Sequence, residues 1–260
     1  MISTLFELPT HLRLRLVSAL DAGALTPPYG AFSVRSVLGV VDGETEISAA
    51  LLELGELGVS GHALAEWLRT IEQQLANRPK ADLVWSGPEV PGVPARDTRR
   101  VYEELMSTAQ HSIWASTFAF FDGQKAFEVL ARRMEAVPDL EVTLLLNIQR
   151  KWTDSTAADQ LVRRFTERFW NSDWPGSARP RVFYDPRSLE LGGPAGVLHA
   201  KALVCDERVV FITSANLTEA ALDRNIELGL LVRDRALAIG VARQFRGLIE
   251  HGMLRPLPME

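Results

Sequence analysis

Cysteine is nearly absent from this 260-residue sequence, which contains only Cys205. One cysteine excludes an internal disulfide, and no cluster of cysteine and histidine has the spacing of zinc ligands, so the composition favours a reducing compartment. The sequence also lacks any run of 18 uncharged apolar residues, and its start lacks the basic and apolar segments of a secretory signal. We therefore expect a soluble cytoplasmic protein that does not enter a membrane.

Positive charge is also in short supply, because 33 acidic residues outnumber 28 lysines and arginines and leave a net charge of −5. Indiscriminate coating of nucleic acid is disfavoured, since such binding scales with the number of phosphates that cations neutralise. Residues 147–187, here called the basic region, are the exception, with eight basic and five acidic residues. Within it we predict that Arg150, Lys151 and Trp152 contact nucleic acid.

Aromatic residues alternate with the cations of the basic region, and two interpretations stay open. Stacking platforms beside cations suit single-stranded nucleic acid. Alternatively, Phe165 and Phe169, four residues apart, face a core, while Arg163, Arg164 and Arg168 form the solvated side of the same helix. The sequence favours neither interpretation.

Two regions differ in their hydrophobic pattern and predict two domains. Residues 1–80 have apolar residues at helical spacing, with Thr10 and Ser60 as predicted N-caps, which indicates a small all-helical domain. Residues 81–260 alternate short apolar runs with helical patterns, which predicts an α/β domain whose mixed, largely parallel sheet is covered by helices. The predicted strands are 82–87, 112–120, 141–147, 181–184, 196–204, 208–214 and 225–232.

Two predicted helices of the N-terminal domain, residues 46–57 and 61–71, have the proportions of a helix-turn-helix. The second would enter the DNA groove, but it carries Glu66 and has Arg69 as its only cation. We therefore favour a packing or partner-docking role over DNA recognition for this pair.

Polar residues flank one apolar stretch near the C-terminal end of the sequence. Alternation along the predicted strand places His199 and Lys201 on one face, and Ser214 and Asn216 occur where the next strand ends. A tight connection lets the two strand ends converge, and Glu227 lies near the start of a third strand. The five side chains are therefore expected at one end of the sheet.

These residue types predict a site that binds a phosphoryl group and attacks it. Lys201 and the Asn216 amide donate hydrogen bonds to phosphate oxygens, and the amides of a helix start add further donors. His199 attacks phosphorus as neutral imidazole, provided that an acceptor holds its other nitrogen, and Glu227 is the candidate. Ser214 either assists phosphate binding or caps the helix that follows.

Asp206 falls in the predicted turn between the two strands, where aspartate is common because it bonds to local backbone. A structural role is at least as good an interpretation as a catalytic one. Cys205, beside it, fits packing better than a reactive thiol.

The order H-A-K-A-L-V-C-D, T-S-A-N and N-I-E-L-G resembles the H-x-K-x4-D signature and the S-x-N and E-x-G elements of the phospholipase D superfamily. The resemblance spans about residues 81–255 and departs at Thr213, where the family often has glycine. It implies a mixed sheet between helices, a phosphohistidine intermediate, and neither a metal nor a cofactor. The implied catalytic residues are His199, Lys201, Asp206, Ser214, Asn216 and Glu227.

The family chemistry needs two histidines, one as nucleophile and one as general acid to the leaving oxygen. This sequence contains a single H-x-K. The resemblance therefore implies a two-fold homodimer in which His199 of each subunit faces the other.

The all-helical leader, followed by LVWSGPEVPG, ARDT, FAFFDG and one terminal motif, resembles the phospholipase-D-like component of DISARM phage-defence systems. This resemblance implies a nuclease in antiviral defence, with DNA favoured over RNA and other defence-system proteins as partners. Two alternatives stay open. One is a non-catalytic nucleic-acid-binding or assembly subunit, which the acidic total favours, and the other is a phospholipid hydrolase or transferase, which the missing membrane segments disfavour.

Overall fold

The chain folds into two units, Met1–Arg78 and Pro79–Glu260. They are seen in a computed structural model that describes residues 2–76, 79, 81–191 and 196–259. The predicted end of the last N-terminal helix at Asn77 and the predicted domain boundary after Lys80 lie outside the described residues. Each unit has a hydrophobic core of its own.

The first unit consists, in its described residues, of helices joined by turns. Helices α1 to α5 span Thr4–Glu7, Thr10–Asp21, Ala31–Leu38, Glu44–Glu56 and Gly61–Ala76. Helices α2 and α5 pack together through the apolar faces that the sequence predicts, and Leu16, Leu64 and Leu68 are fully buried there. Thr10 is the first residue of α2 and not its cap, because Pro9 holds the cap position and provides no side-chain hydrogen bond.

The second helix of the predicted helix-turn-helix, α5, offers little positive charge to DNA. Its cation, Arg69, forms ion pairs with Asp21 and Glu66. A guanidinium held by two carboxylates is a poor ligand for phosphate, because the carboxylates already neutralise it. These contacts fit the packing interpretation of the helix pair.

The second unit is a sheet with helices on both faces. Strands β1 to β9 span Ala81–Ser86, Arg96–Asp97, Ser112–Thr117, Glu141–Leu146, Arg181–Tyr184, Ala202–Cys205, Val209–Thr213, Glu227–Val232 and Arg255–Pro256. Helices α6 to α9 span Thr98–Thr108, Gly123–Ala136, Ala158–Arg168 and Arg235–Glu250. Within the described residues the strand order is β2-β1-β8-β7-β6-β3-β4-β5-β9.

The mixed α/β class is confirmed, but the sheet is less parallel than the sequence pattern predicts. Among the described strands, β1–β2, β3–β4 and β4–β5 are parallel pairs, whereas the other five pairs are antiparallel. The connection from β6 to β7 is only residues 206–208. Such a short turn reverses the chain, because parallel neighbours need a crossover of a dozen or more residues.

Two hydrophobic cores cover the two faces of the sheet, because side chains alternate along each strand. On β4, Leu144 packs in the core beneath α6 and α7, and Leu145 packs in the core beneath α9. Fully buried Phe127 of α7 and Ala238 of α9 lie in these two cores, respectively. Among the helices of the described residues, none has the length and apolar character needed to cross a bilayer.

Part of the face that α9 covers stays open to solvent. Val210 of β7 is buried with α9, but Ile212, two residues further along, is 46% exposed. On the neighbouring β8, Leu228 and Leu230 are 53% and 47% exposed, and Leu230 pairs directly with Ile212. We call Ile212, Leu228 and Leu230 the apolar face.

Candidate active site

The His199 segment precedes β6 instead of lying in it. The predicted strand 196–204 is shorter in the structure, where β6 begins at Ala202. Side chains bind the backbone on both sides of His199: Asn147 Oδ1 accepts from Leu198 N at 3.2 Å, and Ser116 Oγ donates to Ala200 O at 2.9 Å. Contact with the neighbouring strand begins at Lys201, whose carbonyl accepts from Thr213 N at 3.1 Å. The strand ladder therefore starts only after the candidate nucleophile.

His199 and Lys201 nevertheless lie side by side, as the sequence predicts. Lys201 Nζ lies 3.1 Å from His199 Nδ1 and 3.2 Å from His199 Nε2, and it donates to His199 O at 2.8 Å. The imidazole is exposed, whereas Lys201 is only 7% exposed. Burial lowers the pKa of Lys201 below its ordinary value, and the Glu227 carboxylate opposes this shift.

Phe118, for which the sequence pattern predicts no role at the site, lies beside this pair. Its ring centroid is 4.7 Å from that of His199, and Lys201 Nζ lies 5.5 Å from the Phe118 centroid. The residue directly follows β3, so it leaves the sheet at the same end as the His199 segment. In the sequence it lies within an apolar run, and no neighbouring polar residue indicates that it belongs to a site.

Asn216 is held by residues at the C-terminal end of β3. Its Oδ1 accepts a hydrogen bond from Ala119 N at 3.2 Å, and Thr117 Oγ1, which donates to Ala119 O at 2.8 Å, lies 3.5 Å from it. The Ala119 N–H fixes the orientation of the amide, because the oxygen must face this donor. Asn216 Nδ2 forms no hydrogen bond within the described part of the chain, so it can donate to a ligand. Since Ala119 neighbours Phe118, the Asn216 amide and the His199 ring both lie at the end of β3.

Glu227 binds Ser214 and not the imidazole. Ser214 Oγ donates to Glu227 Oε2 and accepts from Leu228 N at 3.1 Å, while Asn225 Nδ2 donates to Glu227 Oε1 at 3.2 Å. Among the hydrogen bonds of the described residues, none joins Glu227 to His199. The expectation that Glu227 orients His199 therefore has no support among the hydrogen bonds of one chain, where the Glu227 carboxylate binds Ser214 and Asn225.

Thr213 and Gly229 shape the turn that carries Ser214 and Asn216. Thr213 Oγ1 accepts from Ala215 N at 3.0 Å, so the threonine found where glycine is frequent supports the turn through its side chain. Gly229 lies directly opposite Thr213 on β8. A Cβ at Gly229 would be 3.0 Å from Thr213 Cβ, which explains the glycine of the E-x-G element.

Asp206 lies away from this site, at the other end of β6. Its carboxylate accepts from Gln110 N at 3.0 Å, His111 N at 2.7 Å and Ser112 N at 2.9 Å. Burial alone would raise the pKa of Asp206, but these three amides outweigh it and lower the pKa. Asp206 therefore anchors the start of β3 to the β6–β7 turn, and the structural interpretation fits where the catalytic one does not.

The predicted nucleic-acid contacts divide into one structural residue and two exposed ones. Arg150 Nε donates to Leu189 O, and its Nη1 donates to Asp154 O and Thr156 O, so the guanidinium holds its own loop together and ties it to the segment that ends at Leu189. Lys151 and Trp152 lie beyond it and are exposed. The indole is 94% exposed, which leaves its faces open to a stacking partner.

The aromatic residues of the basic region mostly face the core. Phe169, Trp170 and Trp174 are buried, and Phe165 packs partly buried against them. Arg168 lies over the Phe165 ring at 5.1 Å from its centroid, on the outside of the cluster. The core interpretation of this segment therefore fits the structure, with Trp152 as an exposed exception.

Comparison with known proteins adds sequence and fold relatives. Residues 102–249 match the family described as cardiolipin synthase, PLD-like domain. The DISARM protein DrmC of Bacillus paralicheniformis is 24% identical over 192 residues, which make up 73% of this chain and 72% of that protein.

Solved structures of similar fold include two from bacteria. The phospholipase D family member Nuc from Salmonella typhimurium has a TM-score of 0.45 and 16% identity, covering 70% of this chain and 100% of Nuc. The phosphatidylserine synthase of Haemophilus influenzae has a TM-score of 0.47 and 16% identity, covering 74% of this chain and 46% of the synthase.

Proposed function

The chain belongs to the phospholipase-D-like family described as cardiolipin synthase, PLD-like domain, and from that premise we propose that it is a metal-independent phosphodiesterase acting on nucleic acid. Proteins of this superfamily are generally phosphodiesterases or phospholipid-modifying enzymes. The observation that carries the proposal is the exposed His199 imidazole beside the Lys201 ammonium, with the unpaired amide donor of Asn216 at the same strand end in the described residues.

The proposed reaction proceeds through a phosphohistidine. A ring nitrogen of His199 attacks phosphorus, an N–P bond forms, and the P–O bond to the leaving group breaks. Lys201 Nζ and Asn216 Nδ2 donate to the non-bridging oxygens as their charge develops. Water then attacks phosphorus, which breaks the N–P bond and restores the imidazole.

The leaving oxygen needs a proton donor, and the water needs a base. We assign both roles to His199 of a second subunit, because each chain contains one H-x-K. The apolar face supports this assignment, since Ile212 lies two residues before Ser214 and Leu228 directly follows Glu227. A copy of the chain seated there would border the candidate site.

Replacement of Leu230 by Glu tests the dimer. Burying a carboxylate against apolar side chains is unfavourable, so we expect the dissociation constant of the dimer to rise at least about tenfold. Analytical ultracentrifugation over a concentration series measures this constant. Met253→Glu is the matched control, because Met253 is also exposed but lies beyond α9. A wild-type protein that is active as a monomer contradicts the dimer proposal.

Nucleic acid is the substrate class that we propose, with DNA ahead of RNA. Lys151 and Trp152 support it, because an exposed indole beside a cation suits an unstacked base and its phosphate. The similarity to the DISARM protein DrmC supports a role in defence against phage, in the company of other proteins of such a system.

The test is cleavage of end-labelled single-stranded DNA, double-stranded DNA and RNA by the full chain in the presence of EDTA. We expect cleavage that chelation does not reduce, because nitrogen and amide groups provide the proposed chemistry. Phosphatidylglycerol vesicles are the comparison substrate, and turnover of lipid alone contradicts the nuclease proposal. Tight binding of nucleic acid without turnover of any phosphodiester identifies a binding subunit instead.

A further inference from the structure

The backbone on both sides of His199 is held by side chains from two neighbouring strands. Asn147 directly follows β4, and Ser116 lies within β3, the parallel partner of β4. Asn147 Oδ1 binds the N–H of Leu198, and Ser116 Oγ binds the carbonyl of Ala200. The residues before and after His199 in the chain are therefore each held by a side chain, one from the end of β4 and one from β3.

Both holding residues are shielded from water. Asn147 is 6% exposed and Ser116 is 3% exposed. A hydrogen bond in such surroundings competes with little solvent, so it restrains the segment more firmly than an exposed bond would. The exposed ring of His199 contacts Phe118, and the His199 carbonyl accepts from Lys201 Nζ at 2.8 Å, so Asn147 and Ser116 add restraints on the two flanking residues.

Asn147 also has a feature that stability alone does not explain. Its Nδ2 is buried and has no hydrogen-bond partner among the described residues. A buried unsatisfied donor destabilises a protein, and a leucine of similar size would remove that donor. The carbonyl end of the same side chain, however, provides the acceptor for Leu198 N.

We infer that Asn147 and Ser116 are positioning residues that set the place and direction of the His199 imidazole. The inference rests on the proposed function, in which His199 attacks phosphorus. A displacement of about 1 Å at a reacting atom can reduce a rate about 100-fold. Two restraints on the flanking peptide groups keep the ring within that tolerance.

Asn147→Leu tests the inference, because it removes the acceptor and the unsatisfied donor together. We expect kcat to fall about 10- to 100-fold with KM within about twofold, while the melting temperature changes little, because removal of the unsatisfied donor offsets the loss of the acceptor for Leu198 N. Ser116→Ala should reduce kcat in the same way, and Asn147→Asp, which keeps an acceptor oxygen, should restore most of the activity lost in Asn147→Leu.

Thr166→Val is the matched control. Thr166 Oγ1 in α8 is another buried polar atom without a partner among the described residues, so its removal repeats the loss of an unsatisfied group away from His199. We expect kcat of Thr166→Val to equal that of the wild type. A wild type that cleaves its substrate while Asn147→Leu retains full kcat overturns the inference and leaves the proposed function standing.

A second readout separates the inference from the proposed function. The ring resonances of His199 in an NMR spectrum report its position without any turnover, and those of the exposed His251 provide an internal reference. If the wild type cleaves no phosphodiester, the proposed function fails. The inference is then upheld when Asn147→Leu shifts the His199 resonances alone, and it is overturned when they do not move.

Discussion

Replacement of His199 by alanine is expected to lower the rate of phosphodiester cleavage at least about 1000-fold, because no covalent phosphoenzyme can form without its nitrogen. The side chain is exposed, so its removal should leave the fold and the melting temperature unchanged. Cleavage of the labelled nucleic acid in EDTA measures the rate, and trapping of an acid-labile phosphoryl group on the protein measures the intermediate.

The control for this substitution is His251→Ala. His251 is also exposed, but it directly follows α9, and its one side-chain hydrogen bond among the described residues joins Nδ1 to Gly247 O. We expect wild-type kcat and a wild-type yield of phosphoenzyme from this variant. Unreduced cleavage by His199→Ala would exclude the phosphohistidine mechanism.

Replacement of Gly229 by alanine is expected to destabilise the second unit by about 1 to 3 kcal/mol, because the new methyl group enters filled space. Its Cβ would lie 2.7 Å from Phe211 Cε2 and 3.0 Å from both Ile212 O and Thr213 Cβ. Phe211 is fully buried and packs against the Tyr102 ring at 5.0 Å between centroids, so it has little room to move. Urea unfolding measures the loss.

Gly240→Ala in α9 is the matched substitution for Gly229→Ala. Apart from the backbone of its own helix and its chain neighbours, no atom of the described residues lies within 4 Å of a Cβ placed at Gly240, so the added methyl group meets open space. Because alanine favours a helix over glycine, this variant should gain roughly 0.5 to 1 kcal/mol in its free energy of unfolding. Equal stability of the two variants would contradict the close approach of β7 and β8 at Gly229.

Hydrophobic periodicity, read along the sequence, predicts the elements of the second unit and much of its candidate site. Apolar runs mark β3, β4, β7 and β8 to within a few residues, since alternation and burial act on neighbouring residues. The spacing of His199 and Lys201, and the location of Ser214 and Asn216 at a strand end, follow from the same local rules. The phospholipase D resemblance of these motifs agrees with the family match over residues 102–249.

Only the tertiary structure decided which partners meet around those residues. Asp206 lies four residues past β6's first residue, so the strand carries it to the far end, where the amides of residues 110–112 bind it. Phe118 reaches His199 because β3 ends beside the start of β6. Such contacts join residues some 80 to 100 positions apart in the chain.

The sequence by itself determined the helices and strands of the second unit, the family motif, and the polar residues that lie near the strand ends. The tertiary structure decided the antiparallel order of the central strands, the pairing of Glu227 with Ser214, and the support of the His199 segment by Asn147. The physical reason is that periodicity depends on residues close together in the chain. Register and strand order depend on packing between distant segments, and local periodicity does not specify which segments become neighbours.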